Sequence, residues 1–348
     1  MRTFRMFKSN FTKSAGSSLR SIAAIAMIAM LAVASGAWSP AWGKPAAASL
    51  WAGDTNNDKV VELTPSNLGS SGSPAPVILD SAGLGEPEGV AFDLSKNLWV
   101  STFENHLVLE FTPAQLNDLG TVSNPTPAAT INSTSFVELD GDTFDKDGNL
   151  WIVDYGANGV DELSKTQLNA GSNADITPAI TITSSSLDDP NFDVFDKSGN
   201  LWVSSEDNSE IVEFAAEQLG SSGALTPKVV LSSNSANSLD EPGEMAFDSK
   251  GNLWVTNFDI GTVVMFAKKQ LRASGSPTPK VTLSSSVFDG PWGLAFDRGH
   301  NLWVSNYNNG TIFKFRSKQL KKSGALTPPV ILQGVLSGSY GMIFGPVF

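Results

Sequence analysis

The side chains of this sequence that are able to do chemistry are mostly carboxylates, and they stand at recurring distances from repeated aromatic residues. Glu88, Asp140 and Asn191 each lie four residues before a Phe (Phe92, Phe144, Phe195), and Asp142 and Asp193 lie two before the last two of these. Carboxylates and an amide brought to one point make an oxygen cage for calcium, which takes about 6 to 8 oxygen ligands. Like charges held together raise one another's pKa, and a cation relieves that repulsion. Glu88, Asp140 and Asn191 are therefore the candidate metal ligands, and Asp142 and Asp193 the candidate bases. Trp292 and Tyr340 occupy the same four-before offset in later copies. Each combines apolar area with a polar handle, which suits stacking on a sugar or another planar group. Glu244 and Asp154 complete the candidate ligand contacts.

Other chemistries are excluded by what the chain lacks. The 348 residues include no Cys, which removes disulfides, thiolate metal sites and thiol redox chemistry. His106 and His300 are the only histidines, too few for a multi-His metal site. His106 falls in a loop on the acidic side, and His300 in a hairpin turn where other copies carry Gly. Neither a Gly-x-Ser-x-Gly elbow, nor a phosphate loop, nor a His-Glu metalloprotease signature is present.

The elements that must position these residues follow from an internal repeat. Leu-Trp pairs place Trp51, Trp99, Trp151, Trp202, Trp254 and Trp303 at intervals of 48, 52, 51, 52 and 49 residues. A Phe stands seven residues before the last five of these Trp, and Phe344 repeats the landmark near the end. Asp follows the first five Phe. A Gln-Leu pair recurs at Gln115, Gln167, Gln218, Gln270 and Gln319, with Asn67-Leu68 as its earliest version. Each copy reads as four short strands: an apolar strand ending in Phe, an Asp/Gly hairpin, a Leu-Trp strand, a third strand, and an outer strand after a Thr-Pro stretch. Six such units predict an all-β, six-bladed β-propeller spanning residues 50–348. The first copy lacks its inner strand and the chain ends on one, so the C-terminal strand should complete the N-terminal blade and leave no open edge. The repeated Trp, Phe and Leu then read as core between blades, the Asp after Phe as a turn cap, and Gln-Leu as a pin for the outer connector.

The run Pro-x-Gly-x-Ala-Phe-Asp-x-x-Gly-Asn-Leu-Trp-Val-x-Asn, clearest at Pro291–Asn306 and partial at Pro242–Asn257, resembles NHL-repeat β-propellers. More broadly it is similar to the six-bladed superfamily that includes gluconolactonase-like lactonases and the virginiamycin B lyase group. The long Gln-Leu…Ser-Gly…Thr-Pro connectors depart from plain NHL repeats. Gluconolactonase-like enzymes draw Glu, Asn and Asp metal ligands from the inner-strand position held here by Glu88, Asp140 and Asn191. In this chain the three come from consecutive blades, and Gly243 follows where another acid would be expected. The His/Glu pair of the lyase group is not found.

Residues 1–43 carry five basic residues and no acid, followed by an apolar run from Ile22 to Ala34 and small residues. That is the layout of a secretory signal peptide. Cleavage after Ala37 or after Gly43 fits the small-residue pattern, and the second leaves a short leader, 44–49. Removing 1–43 leaves 18 bases against 35 acids, a net charge of −17, which disfavours nucleic acid and anionic membranes as main partners. The sequence thus predicts an exported, periplasmic or extracellular monomer. It would bind a small polar molecule, a glycan or a protein at the channel mouth, where the blades differ. A calcium-dependent lactonase-like hydrolase is the alternative, and a virginiamycin B lyase-like enzyme is disfavoured. Late basic residues, among them Lys268, Arg272, Lys318 and Lys321, fall on outer connectors and read as a solvated face or, second, a docking patch.

Overall fold

A Trp and a Phe packed edge to face define the spacing between neighbouring sheets. The computed structural model describes residues 48–120, 124–173 and 175–348, so residues 1–43, expected as a signal peptide, and 44–47 of the expected leader lie outside the described residues. The chain is a six-bladed β-propeller. Blade 1 runs from Pro87–Phe92 through Leu98–Thr102 and Leu107–Phe111 to Ala129–Asn132, and blades 2 to 5 repeat that order with inner strands at Leu139–Phe144, Pro190–Phe195, Pro242–Phe247 and Pro291–Phe296. Blade 6 pairs the C-terminal strand Ser339–Gly345 with Ser49–Asp54, followed by Lys59–Leu63 and Val77–Asp80. Closure by the last strand is as the missing first strand of the opening copy requires.

Each Trp of a second strand meets the Phe of the next blade's inner strand. The six ring pairs, from Trp51–Phe92 round to Trp303–Phe344, have centroids 5.6–6.4 Å apart and near-perpendicular planes. This edge-to-face geometry is the favoured one for aromatic rings. The Asp after Phe does more than cap its turn. In blade 2, Asp145 accepts hydrogen bonds from the backbone N–H of Asp147 and Asn149, from Asn149 Nδ2 (2.8 Å) and from Trp151 Nε1 (3.2 Å). One carboxylate thereby fixes both the hairpin and the ring that packs on the next blade. Blade 6 has Gly345 in place of that Asp, and Trp51 Nε1 is left buried without an acceptor.

The connectors behave as their sequence suggests and add a feature it does not reveal. Gln115, Gln167, Gln218, Gln270 and Gln319 each accept from the backbone N–H three residues earlier and donate through Nε2 to the carbonyl of the Thr in Thr-Pro. Beyond that pin, the connector lies parallel against the outer strand of the preceding blade: Gly72 on Leu332, Asn173 on Ile131, Gly223–Ala224 on Ile182–Thr183, Gly275 on Leu231 and Gly324–Ala325 on Leu283–Ser284. The Ser just before each contact (Ser71, Ser172, Ser222, Ser274, Ser323) accepts an outer-strand N–H at 3.0–3.1 Å. The outer edge of one blade is thus covered by its neighbour, which protects backbone groups that an exposed edge would offer to other chains.

Asp145→Ala removes four bonds and leaves buried donors without partners. It should lower stability by about 2 kcal/mol or more, read from urea unfolding.

Candidate functional site

Two sets of loops meet on one face. The residue after each second strand donates its N–H to the loop that leads into the same blade's inner strand: Phe103 to Glu86 O, Tyr155 to Glu138 O, Glu206 to Asp189 O, Phe258 to Glu241 O, Tyr307 to Gly290 O and Thr55 to Gly338 O, at 2.8–3.2 Å. Side chains three after the repeated Trp reinforce this seam. Asp154 accepts from Val137, Glu138 and Ala157 N–H, Asn257 from Asp240 N–H, and Asn306 from Asp289 N–H. Asp154, expected at the ligand, is buried and committed to backbone.

Charge is segregated between the two faces. The mouth loops 55–58, 81–86, 103–106, 133–138, 155–158, 184–189, 206–209, 233–241, 258–261, 285–290, 307–311 and 333–338 contain twelve acids and no Lys or Arg. Lys59, which borders them, is paired with Asp80 at 3.3 Å. Crowding at the rim is felt by Glu241: burial and then Asp259, Glu206, Asp240 and Asp207 raise its carboxyl to about 7.

At the axis, blades 1 to 3 bring their acids together as the repeat register implies. Glu88 and Asp140 are 3% and 1% exposed and interact directly as a carboxyl–carboxylate pair. Burial first, then Asp140 and Glu86, push Glu88 well above the usual carboxylate range. Burial and then Glu206 do the same to Asp140. Asn191 is buried beside them and donates through Nδ2 to Glu206 at 2.8 Å. Asp142 and Asp193 are also raised, chiefly by burial, with Asp142 the next cause for Asp193. Glu88 Oε2, Asp140 Oδ1 and both oxygens of Asp142 and Asp193 are buried without hydrogen-bond partners. Six buried carboxyl oxygens without a protein partner favour protonated carboxyls over anions. Among the described residues, no three His, Cys or carboxylate side chains form a group able to hold a metal ion.

Two residues fill the axis itself. The ring of Phe192 reaches from blade 3 to Trp292 and Tyr340 in blades 5 and 6, with centroids 6.5 and 6.4 Å away. Glu244, in blade 4, accepts from the backbone N–H of Leu294 in blade 5 and Met342 in blade 6. Glu244 therefore braces the ring instead of facing a ligand. Trp292 is buried between Phe258 at 5.1 Å and Tyr340 at 5.0 Å, a plug more than a platform. Tyr340 and Tyr307, packed perpendicular at 5.5 Å, are partly exposed aromatic faces of the mouth, as are Phe258 and the Phe103–Tyr155 pair on the side of blades 1 and 2. Burial, then Glu88 and then Asp140 push the Tyr340 hydroxyl up, so the aromatic wall adjoins the acids.

Sequence reasoning missed Phe192, Glu206, Phe258 and Tyr307. Phe192 and Glu244 lie three before their Phe, where the other four copies carry Gly. Glu206, Phe258 and Tyr307 are the first residues after second strands, a position that varies between copies and was open to inspection.

Residues 288–315 match the NHL repeat. No curated protein matches the chain in sequence. Among solved structures, a protein of unknown function from Bacteroides caccae is similar with a TM-score of 0.60 at 12% identity, over 87% of this chain and 100% of that one. A protein from Lactobacillus plantarum gives 0.57 at 17% identity, over 87% and 86%. Catalytically inactive virginiamycin B lyase from Staphylococcus aureus, with quinupristin, gives 0.50 at 11% identity, over 84% and 86%. At these identities the likeness is one of fold.

The buried acids carry protons in the folded state that the unfolded chain releases near pH 4. Their contribution to stability is therefore greatest at acid pH and is lost as pH rises through the raised folded values. Thermal unfolding should show Asp193→Asn raising the midpoint by about 2 °C or more at pH 8, with the gain shrinking toward pH 4. An equal shift at both pH values would contradict the orphan-carboxyl account.

Proposed function

We propose that the protein is an exported binding module whose channel mouth takes a ligand combining a positive charge with a flat apolar body. Export rests on the signal-peptide layout of 1–43. Among the described residues no helix is long and apolar enough to cross a membrane. One observation carries the ligand class: acids and aromatics adjoin at the mouth, with Glu88, Asp140 and Glu206 on one side and Tyr340 and Tyr307 on the other. An ammonium or guanidinium group would give the orphan oxygens a counter-charge and donors. The ring faces would take its apolar part and attract the cation through their quadrupole. The acidic rim, free of Lys and Arg, would draw such a ligand in from solution and repel anions. Nothing in this arrangement asks for covalent chemistry, so binding is the activity assigned.

The orphan oxygens also favour a second reading, in which calcium is held by Glu88, Asp140 and Asn191 in a lactonase-like hydrolase. Bound there, the ion would supply Lewis acidity toward an ester carbonyl. Asp142 or Asp193 would then be asked to serve as base, although the carboxyl oxygens of both are buried.

Calorimetry with benzylamine and benzyl alcohol separates charge from shape. The amine should bind, the alcohol should not, and Glu206→Gln should weaken the amine by about fivefold at low salt. Equal binding of the two probes would end the cation reading. Calcium binding that is lost in Glu88→Ala would move the assignment to the second.

A further inference from the structure

The face opposite the mouth carries a cavity of about 270 Å³ between blades 3 and 4. Its lining includes Trp202, Phe247 and Leu271 as apolar surface, and Lys197, Lys228, Lys268 and Arg272 as cations. We propose that this cavity is a second binding site, taking a compact organic anion whose carboxylate or phosphate group sits among the four cations.

The cations are specific to this gap. Lys197 and Lys228 come from the hairpin and the outer-strand approach of blade 3, Lys268 and Arg272 from the connector of blade 4. The equivalent four places between blades 2 and 3 are Lys146, Ala179, Ala216 and Gly220, and between blades 4 and 5 they are Ser249, Lys280, Ser317 and Lys321. One and two cations respectively replace four. Lys197 reaches over the gap to Ser249 O at 3.0 Å, and Lys228 lies 3.8 Å from Glu217. Lys268 and Arg272 are exposed and take part in no ion pair among the described residues.

The indole beneath is one of two left without an acceptor, and unlike Trp51 its blade does carry the Asp, Asp196. Trp99, Trp151, Trp254 and Trp303 each donate Nε1–H to the Asp after the preceding Phe, whereas Trp202 Nε1 is buried with no acceptor. Two acids line the same cavity. Asp196 is occupied by Ser198, Asn200 and the hairpin backbone. Glu213 is held above the usual carboxylate range mainly by burial, with Lys228 opposing. The cavity thus gathers four cations around an indole whose buried Nε1–H has no acceptor, a setting complementary to an oxyanion. Its volume falls just below the usual range for small-molecule sites, about 300–1,000 Å³, which limits the occupant to the size of a simple sugar acid or phosphate ester.

The test follows the indole N–H resonance of Trp202, assigned through Trp202→Phe, during titration of the full chain with inorganic phosphate, glucuronate and uncharged glucose. One or both anions should shift that resonance saturably, with a Kd on the order of 1 mM, and glucose should not. Response to phosphate alone or to glucuronate alone identifies which oxyanion the site takes. Lys268→Ala with Arg272→Ala should weaken binding at least about tenfold. The exposed control pair Lys318→Ala with Lys321→Ala should leave it unchanged, as should Glu206→Gln at the other face. No saturable shift with either anion, or equal weakening by the control pair, would overturn the site.

Discussion

Six Trp–Phe contacts set the angular step from blade to blade, and the rest of the ring is arranged so that all six can form at once. Each indole is oriented through the Leu-Trp strand, and in most blades by an Asp that also closes the adjoining hairpin. With that step repeated six times, the inner strands converge on an axis where few side chains fit. Four blades meet the restriction with Gly at the closest approach. A Cβ on Gly89, Gly293 or Gly341 would come within 2.1–2.5 Å of a neighbouring hydroxyl or carbonyl oxygen. The remaining two places hold Phe192 and Glu244, and the channel is filled by them.

That geometry explains which parts of the protein are readable from sequence. Blade core is periodic because the same contact recurs, so Trp, Phe, Asp and Gln-Leu announce the fold and even its closure. The carboxylates four before Phe92 and Phe144 and two before Phe144 and Phe195 were legible for the same reason, since register alone carries them to the channel. What those acids do there was not legible. Glu244 and Asp154 carry the right chemistry but are bound to backbone N–H groups from strands and loops that no local pattern connects. Every inner strand breaks its ladder register near these positions, as between Pro190 and Asp193, so simple alternation does not describe where consecutive side chains go. Phe192 is a core-type residue by appearance, and only its partners from blades 5 and 6 reveal it as the plug.

The two faces differ by more than loop length. Hairpins and connectors carry nearly all the cations, while the mouth loops carry acids alone, so the molecule has an electrostatic direction despite its large net negative charge. Buried carboxyls extend the acidic character into the channel, although as protonated groups they contribute donors and acceptors more than charge. A ligand approaching the mouth therefore meets ionised rim acids first and the neutralised pairs only on docking. Aromatic rings on the opposite wall limit how deep it can go.

Covering an outer strand with the next blade's connector, seen at five of the six blades among the described residues, has a bearing on how such rings gain or lose members. The stretch that repeats in sequence is not a self-contained body: it brings an uncovered outer edge at one end and, at the other, the strap that covers someone else's. Inserting or deleting one whole period leaves every edge matched to a strap, since the newcomer covers its predecessor and is covered by its successor. Cutting at any other phase would orphan one edge and one strap together. Tandem duplication in units of a period is thus the natural route by which this architecture can be lengthened without ever passing through a form with a bare edge.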